Sequence, residues 1–205
     1  MPMTPNNLTL AAATMLFLTG CTPHKVQYYQ LSAYSKQAAA APAESGFVVL
    51  VGRIATPLAL QDGRIRYREG ANEVGAYEYH RWTDPPGIMV RDLLIESLRN
   101  SGTYKAVQDA GSTSEGDYAV RGKLLEFSEL DGTAIETRVA LDLELRETKT
   151  GRVVWARTLA HNDPVQAKKV ADIVQSLDRG MQAVIADATQ GIGAYIAAHP
   201  RTATK

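Results

Sequence analysis

The feature that most constrains the fold of this chain is a long helical pattern near its C-terminal end. From Ala167 to Ala198, apolar residues recur at the spacing of one helix face, with Gly180 and Gly191 as positions where the helix could bend or break. A stripe of this length has to pack on another apolar surface, so the rest of the chain must supply a large sheet. The stripe consists of Val170, Ile173, Val174, Leu177, Met181, Val184, Ile185, Ala188, Ile192 and Tyr195.

The clearest strand pattern lies directly upstream of this helix. Apolar and polar residues alternate over residues 139–146, which is typical of a half-buried strand. A turn at residues 148–151 joins it to RVVWARTL, in which Trp155 is expected to belong to the core. In the preceding strand, which begins at Tyr118, the apolar parity changes after Leu124, and this change predicts a β-bulge there.

Shorter strand candidates occupy the N-terminal half of the chain. They are VQYYQL (26–31), FVVLVGRI (47–54), RIRYRE (64–69), VGAYEYHRW (74–82) and YKAV (104–107). The continuous apolar run at 47–54 is expected to be buried on both faces. The runs at 64–69 and 74–82 flank a turn-forming sequence at 70–73, so they are interpreted as two strands or a hairpin.

A first helix is predicted between these strands and the C-terminal ones. The sequence Asp84-Pro85-Pro86-Gly87 places prolines where the first helical turn accepts them, and residues 88–100 then carry apolar residues at helical spacing. Ser101-Gly102 supplies the expected terminating glycine. Together, the elements predict an α+β fold, with one mixed, mainly antiparallel sheet and two helices packed on one face.

The only cysteine of the chain, Cys21, follows an apolar run, Leu8–Leu18, that is shorter than the about twenty residues needed to span a bilayer. The small residues Thr19 and Gly20 separate that run from the cysteine, an order typical of a bacterial lipoprotein signal. We therefore predict a signal peptide over residues 1–20 and lipidation at Cys21. No Lys or Arg precedes Leu8, unlike in most such signals, and a buried thiol after a short core helix is the alternative.

Composition and motifs disfavour several classes of function. Lys and Arg number 22 and so do Asp and Glu, and this balance disfavours a nucleic acid as the partner. No catalytic motif is present, and carboxylates such as Glu126, Glu129 and Asp131 look no different from surface acids. The histidines are isolated from one another, at His24, His80, His161 and His199. No catalytic residue, metal site or cofactor is therefore predicted, and an enzyme is disfavoured.

One dense local cluster remains, in the tract NEVGAYEYHRWTDPPG at residues 72–87. Aromatic residues beside arginine are common anchors of protein interfaces, so Tyr79, Arg81 and Trp82 are candidate partner contacts. The competing interpretation is a packed corner, in which Trp82 closes the core and Arg81 binds loop carbonyls.

The order of the segments resembles the ABC-type transport auxiliary lipoproteins, the family of the small lipoprotein of the Pqi system. The resemblance is carried by the Cys21 motif, by Tyr29-Gln30-Leu31, by FVVLVGRIATPLAL and by the tract from Arg64 to Pro86. Only Cys21 is carried over as a defined functional position. Tyr79, Arg81 and Trp82 match the characteristic tract of the family.

The resemblance implies a lipoprotein of the outer membrane that faces the periplasm of a Gram-negative bacterium. Such proteins act with a periplasmic MCE-domain protein and an ABC permease and ATPase that move phospholipids or other hydrophobic molecules between membranes. Thr22, in place of an aspartate, favours sorting to the outer membrane. A homo-oligomer is compatible with this role. The alternative is an envelope assembly lipoprotein that acts as scaffold or plug for an outer-membrane barrel.

The predicted organisation has four parts. After the signal at residues 1–20 comes a lipidated tether at residues 21–46, which contains a candidate first strand and is expected to let the domain reach its partner. The periplasmic domain follows at residues 47–199, and residues 200–205 form a tail.

Overall fold

The computed structural model describes residues 24–33, 45–111 and 115–200. The predicted signal peptide, Cys21 and much of the Ala-rich stretch after the first strand lie outside these residues. The strands are β1 Gln27–Tyr29, β2 Val48–Ala55, β3 Arg64–Glu69, β4 Glu73–Trp82, β5 Ala106–Asp109, β6 Tyr118–Asp131, β7 Ile135–Glu147 and β8 Val153–Pro164. The helices are α1 Pro86–Asn100 and α2 Val170–Ala198, and a short 3-10 helix spans Leu58–Leu60.

Strand β6 organises an eight-stranded sheet among the described residues. One of its edges pairs antiparallel with β7, which in turn pairs antiparallel with β8. Its other edge pairs in parallel with β2 along its first half and with β3 near its end. β5 extends the sheet beyond β2, while β4 and then β1 extend it beyond β3. The long antiparallel pairings hold most of the paired residues, which confirms a mixed, mainly antiparallel sheet.

Both helices lie on the same face of this sheet, as the sequence predicts. α1 packs on β2 and β5, α2 packs mainly on β7 and β8, and the two helices contact each other. α2 runs through both of its predicted breakpoints without interruption. A Cβ at Gly191 would lie 2.9 Å from Cζ2 of Trp155, so the missing side chain lets the helix approach the indole closely. No helix in the described part of the chain is long and apolar enough to cross a membrane.

Three local predictions need correction or refinement. In β2 only Val49, Val51 and Ile54 are buried and the other residues are partly or fully exposed, instead of the strand being buried on both faces, because both helices lie on one face of the sheet. The bulge near Leu124 is confirmed, but its extra residue, Leu125, turns outward and is 39% exposed. Trp155 packs against the core yet stays only partly buried, because β8 is an edge strand.

A pair of glycine substitutions tests how α1 and α2 sit on the sheet. A Cβ at Gly87 would lie 2.6 Å from the carbonyl oxygen of Ile54, so Gly87→Ala should lower the unfolding free energy by about 1–3 kcal/mol despite the better helix propensity of alanine. A Cβ at Gly193 would meet nothing closer than the Tyr104 hydroxyl, at 3.7 Å. Gly193→Ala should therefore raise the unfolding free energy by about 0.5–1 kcal/mol, because alanine has the better helix propensity. Urea unfolding of both variants measures the contrast, and equal effects would contradict the packing of α1 on β2.

Candidate functional site

The first strand is built into the domain rather than lying free in the tether. β1 pairs in parallel with the end of β4, with Tyr28 opposite Arg81 and Tyr29 opposite Trp82. The hydroxyl of Tyr29 and Nδ1 of His80 are 2.9 Å apart, and the Thr83 amide donates to the Tyr29 carbonyl at 2.7 Å. The candidate first strand within the predicted tether at residues 21–46 is thus β1, and its pairing with β4 holds it against the domain.

Residues just after β1 are also held in place, by α2. The Ser32 amide donates to Oδ1 of Asp178 at 3.0 Å, and the Gln182 side-chain amide donates to the Ser32 carbonyl at 2.9 Å. The segment from His24 to Ala33 thus forms one edge of the sheet through β1 and is then bonded to α2 through Ser32. Only residues 22 and 23 separate Cys21 from this ordered segment.

On the inner face of β4, Trp82 is part of the core. Its side chain is 3% exposed, and its ring stacks on Phe127 at a centroid distance of 4.9 Å. Its backbone amide donates to the Gly63 carbonyl at 2.7 Å. This geometry favours the packed-corner interpretation for Trp82, because the indole has almost no surface left for another molecule.

On the outer face, the neighbouring residues of β1 and β4 form an accessible patch. Tyr28 is 63% exposed, and Tyr79 and Arg81 are partly exposed. The imidazole of His24 stacks on the ring of Tyr79 at 4.8 Å. One guanidinium nitrogen of Arg81 donates to the Asp62 carbonyl at 3.4 Å. We call His24, Tyr28, Tyr79 and Arg81 the outer patch; it contains two of the three predicted contact residues, and sequence analysis missed Tyr28.

In β6, the structure distinguishes the environments of three carboxylates, Glu126, Glu129 and Asp131, that looked alike in the sequence. Glu126 pairs with Arg68 at 2.8 Å, and Asp131 pairs with Lys168. Glu129, in contrast, is fully buried and accepts a 2.6 Å hydrogen bond from the Tyr77 hydroxyl. The sequence contains a signal for this burial: Glu129 lies two residues after the buried Phe127 on the same strand, and residues two apart on a strand point to the same face of the sheet.

Burial governs the protonation of Glu129. Desolvation raises the pKa of its carboxyl, and the Tyr77 hydroxyl and the charge of Lys168 counter that rise only in part. Burial, together with the bond to Glu129, likewise raises the pKa of Tyr77, which keeps the phenol protonated as a donor. Oε1 of Glu129 has no hydrogen-bond partner within the described residues. The arrangement is a single carboxylate held by a phenol at one end of the core.

The raised pKa of Glu129 predicts how stability depends on pH. The folded protein binds the Glu129 proton more tightly than the unfolded chain, so this stabilisation is complete below the unfolded pKa of about 4.3 and is lost as pH rises through the folded pKa. Glu129→Gln stays neutral, so its unfolding free energy relative to wild type should rise between pH 4 and pH 7, by about 1.4 kcal/mol for every tenfold difference in proton affinity between the two states. Urea unfolding at several pH values measures it. Glu73→Gln, at an exposed position, is the control, and a pH-independent difference for Glu129→Gln would contradict the burial.

Within residues 24–33, 45–111 and 115–200, no group of three or more His, Cys, Asp or Glu side chains is placed to hold a metal ion. A groove of about 420 Å³ in this part of the chain lies at the start of α1 and is lined by residues that include Arg53 and Arg91. Arg91 already pairs with Asp92 and Asp109.

Comparison with solved structures supports the fold. The chain is similar to protein XCC0632 from Xanthomonas campestris, with a TM-score of 0.75 and 18% identity over 84% of this chain and 99% of that one. The chain is also similar to one chain of a PelC dodecamer from Paraburkholderia phytofirmans, with a TM-score of 0.50 and 18% identity over 78% of this chain and 95% of that one. At these identities the likeness concerns the fold alone.

The family assignment comes from the sequence match. No curated protein matches the chain significantly. The model of the ABC-type transport auxiliary lipoprotein component matches residues 29–188, from the last residue of β1 into α2. That family is defined by a role in transport rather than by an enzymatic reaction, and its members are lipoproteins. The chain therefore belongs to the ABC-type transport auxiliary lipoprotein family.

Proposed function

We propose that this protein is an outer-membrane-anchored auxiliary lipoprotein of an MCE-type ABC transport system that moves phospholipids or other hydrophobic molecules between membranes. Cys21 carries the lipid anchor, and the domain acts by docking the periplasmic MCE protein without catalysing a reaction. The observation that carries this proposal is the family match, which begins at Tyr29, eight residues after the cysteine of the lipoprotein motif.

The geometry supports a docking role more than a catalytic one. The fully buried carboxylate of Glu129 is enclosed by Tyr77 and the core and is not presented in an open groove. The accessible aromatic and basic side chains lie instead on the outer patch. Tyr79 and Arg81 remain candidates for an intermolecular contact, whereas Trp82 is buried in the core against Phe127. Their closeness to Cys21 limits which partner can reach them.

A homo-oligomer is part of the proposal. PelC, with which the chain shares its fold, forms a dodecamer, and this supports testing the same property here. An oligomer would carry one lipid anchor on each copy and would present several identical contact sites to the MCE protein. Binding through several sites at once raises the overall affinity for that protein well above the affinity of one site. Light scattering of the protein in detergent, corrected for bound detergent, measures the number of copies.

The test of the function is a crosslinked pull-down of the tagged, native lipoprotein in mild detergent, read by mass spectrometry. We expect an MCE-domain protein together with its ABC permease and ATPase. A Cys21→Ala variant secreted behind a cleavable signal and expressed at the same level is the control, because it keeps the domain and lacks the predicted anchor. Recovery of an outer-membrane barrel without these subunits would overturn the proposal in favour of an envelope assembly scaffold.

A further inference from the structure

The distance between the anchor and the folded domain is limited by covalent geometry. His24 is held against the domain by its stack on Tyr79, and three peptide units separate it from Cys21. Consecutive Cα atoms are 3.8 Å apart, so the Cα of Cys21 lies within about 11 Å of the Cα of His24 in every conformation. If acyl chains on Cys21 are buried in a bilayer, the N-terminal end of β1 has to lie at the surface of that bilayer.

The surface next to this end of β1 is the outer patch. Tyr79 lies directly under His24, and Tyr28 and Arg81 are opposite each other in the β1–β4 pairing, four residues further along the strand from His24. Lys25, which follows His24, is exposed as well. The surface that begins beside His24 therefore carries aromatic and basic side chains, and Glu78, which is hydrogen-bonded to Tyr79, is its acidic neighbour.

We infer that the outer patch rests on the headgroup region of the membrane that holds the Cys21 anchor. The inference depends on the lipidation of Cys21 in the proposed function, and it gives Tyr79 and Arg81 a bilayer rather than a protein as their partner. Tyr28 and Tyr79 lie at the depth of the headgroups, with Arg81 and Lys25 against the lipid phosphates.

The side chains of the patch suit that environment. Tyrosine has an apolar ring and a polar hydroxyl, and such residues are enriched where a protein meets the membrane–water interface. Arginine and lysine next to them are attracted to lipid phosphates. Anchoring at Cys21 keeps the patch at a high local concentration of headgroups, so contacts that are weak individually are occupied most of the time.

The inference also changes how the domain reaches its partner. A flexible tether of residues 21–46 would let the domain move several tens of ångströms from the membrane. Only two residues lie between Cys21 and His24 in the sequence, and His24 is stacked on Tyr79. The domain is then held against the membrane in one orientation, and the periplasmic partner has to come to it.

The single cysteine of the chain allows a direct test. Once Cys21 is lipidated, a cysteine introduced at Tyr28 or Tyr79 is the only free thiol and can carry a spin label. The full-length lipidated variants are reconstituted into vesicles of phosphatidylethanolamine and phosphatidylglycerol. Relaxation by oxygen, which concentrates in lipid, is then compared with relaxation by a water-soluble nickel chelate. Lys149→Cys is the matched control, in the exposed β7–β8 turn. Across the sheet, β7 lies four strands, or about 19 Å, from β1 with Tyr28 and three strands, or about 14 Å, from β4 with Tyr79.

For the labels at positions 28 and 79, we expect an oxygen-to-nickel ratio several-fold higher than at position 149, and we expect the difference to disappear in detergent-free buffer when Cys21 is also replaced by serine. Equal ratios at all three positions in a protein whose lipidation is verified by mass spectrometry would overturn the membrane contact and leave the anchor intact. An unmodified Cys21 would instead overturn the anchor itself. Protection from both reagents only after the MCE protein is added would assign the patch to that protein and overturn the inference.

Discussion

Replacing Trp82 with alanine is expected to lower the unfolding free energy by about 3–5 kcal/mol, because a large buried side chain is lost and the surrounding core refills its space only in part. The indole is 3% exposed and stacks on Phe127 at 4.9 Å, so its removal leaves a cavity between β4 and β6. A loss of this size approaches half the stability of a typical domain. Urea unfolding followed by circular dichroism measures it, since the signal does not depend on the tryptophan that is removed.

Neighbouring substitutions separate packing from surface contact. Trp82→Phe keeps an aromatic ring against Phe127 and should recover part of the loss. Tyr79→Ala and Arg81→Ala lie on the outer face and should each change stability by less than about 1 kcal/mol, because neither side chain belongs to the core. A near-neutral Trp82→Ala would contradict the packed corner and restore Trp82 as a contact residue.

Replacing Cys21 with alanine is expected to abolish stable attachment to the membrane. Each methylene of a buried acyl chain contributes about 0.8 kcal/mol, and stable anchoring needs more than one such chain, so removal of the acceptor thiol removes the whole anchor. Because Cys21 is the only cysteine, no disulfide or thiol elsewhere is disturbed. The measurement is the share of protein that stays with membranes after an alkaline wash.

The control for Cys21→Ala must account for the apolar run Leu8–Leu18. If the predicted signal peptide is not cleaved, this run stays on the chain and can itself attach the protein to a membrane. The variant is therefore also made behind a cleavable secretory signal, and Thr22→Ser serves as a neighbouring substitution that leaves the thiol in place. Wild type and Thr22→Ser should remain with membranes, whereas both Cys21→Ala forms should lose the lipid mass. An Ala variant that washes off no more readily than wild type after signal removal would refute the anchor.

Much of the fold was predictable because it is recorded in local patterns. The alternation over residues 139–146 became β7, and residues 170–195 supplied the buried face of α2. Turn chemistry was equally reliable: Gly151 has a φ of 70°, which glycine adopts without strain, and Pro86 begins α1. The shift in parity after Leu124 located the bulge. Each of these features depends on residues close together in the chain.

The candidate site was predictable only in part. The tract around Tyr79 and Arg81 stood out by its composition, and both side chains reach the surface. Which of its aromatic residues face inward depends on the pairing of β4 with β1 and β3, and a register shift between Arg64 and Arg66 changes the pattern along β4. Tyr28 was missed because a three-residue strand has too few residues to show an alternation.

The sequence by itself determined which segments are helices and strands, which face of each is apolar, and where the cysteine lies relative to the first strand. Only the tertiary structure decided which element covers each face. The pairing of β1 with β4 joins residues about fifty positions apart, and the burial of Glu129 depends on Tyr77 from another strand. Periodicity shows which face of an element is apolar, but the packing of the whole chain decides what covers that face, and this packing places Tyr79 of the outer patch against His24, three residues after Cys21.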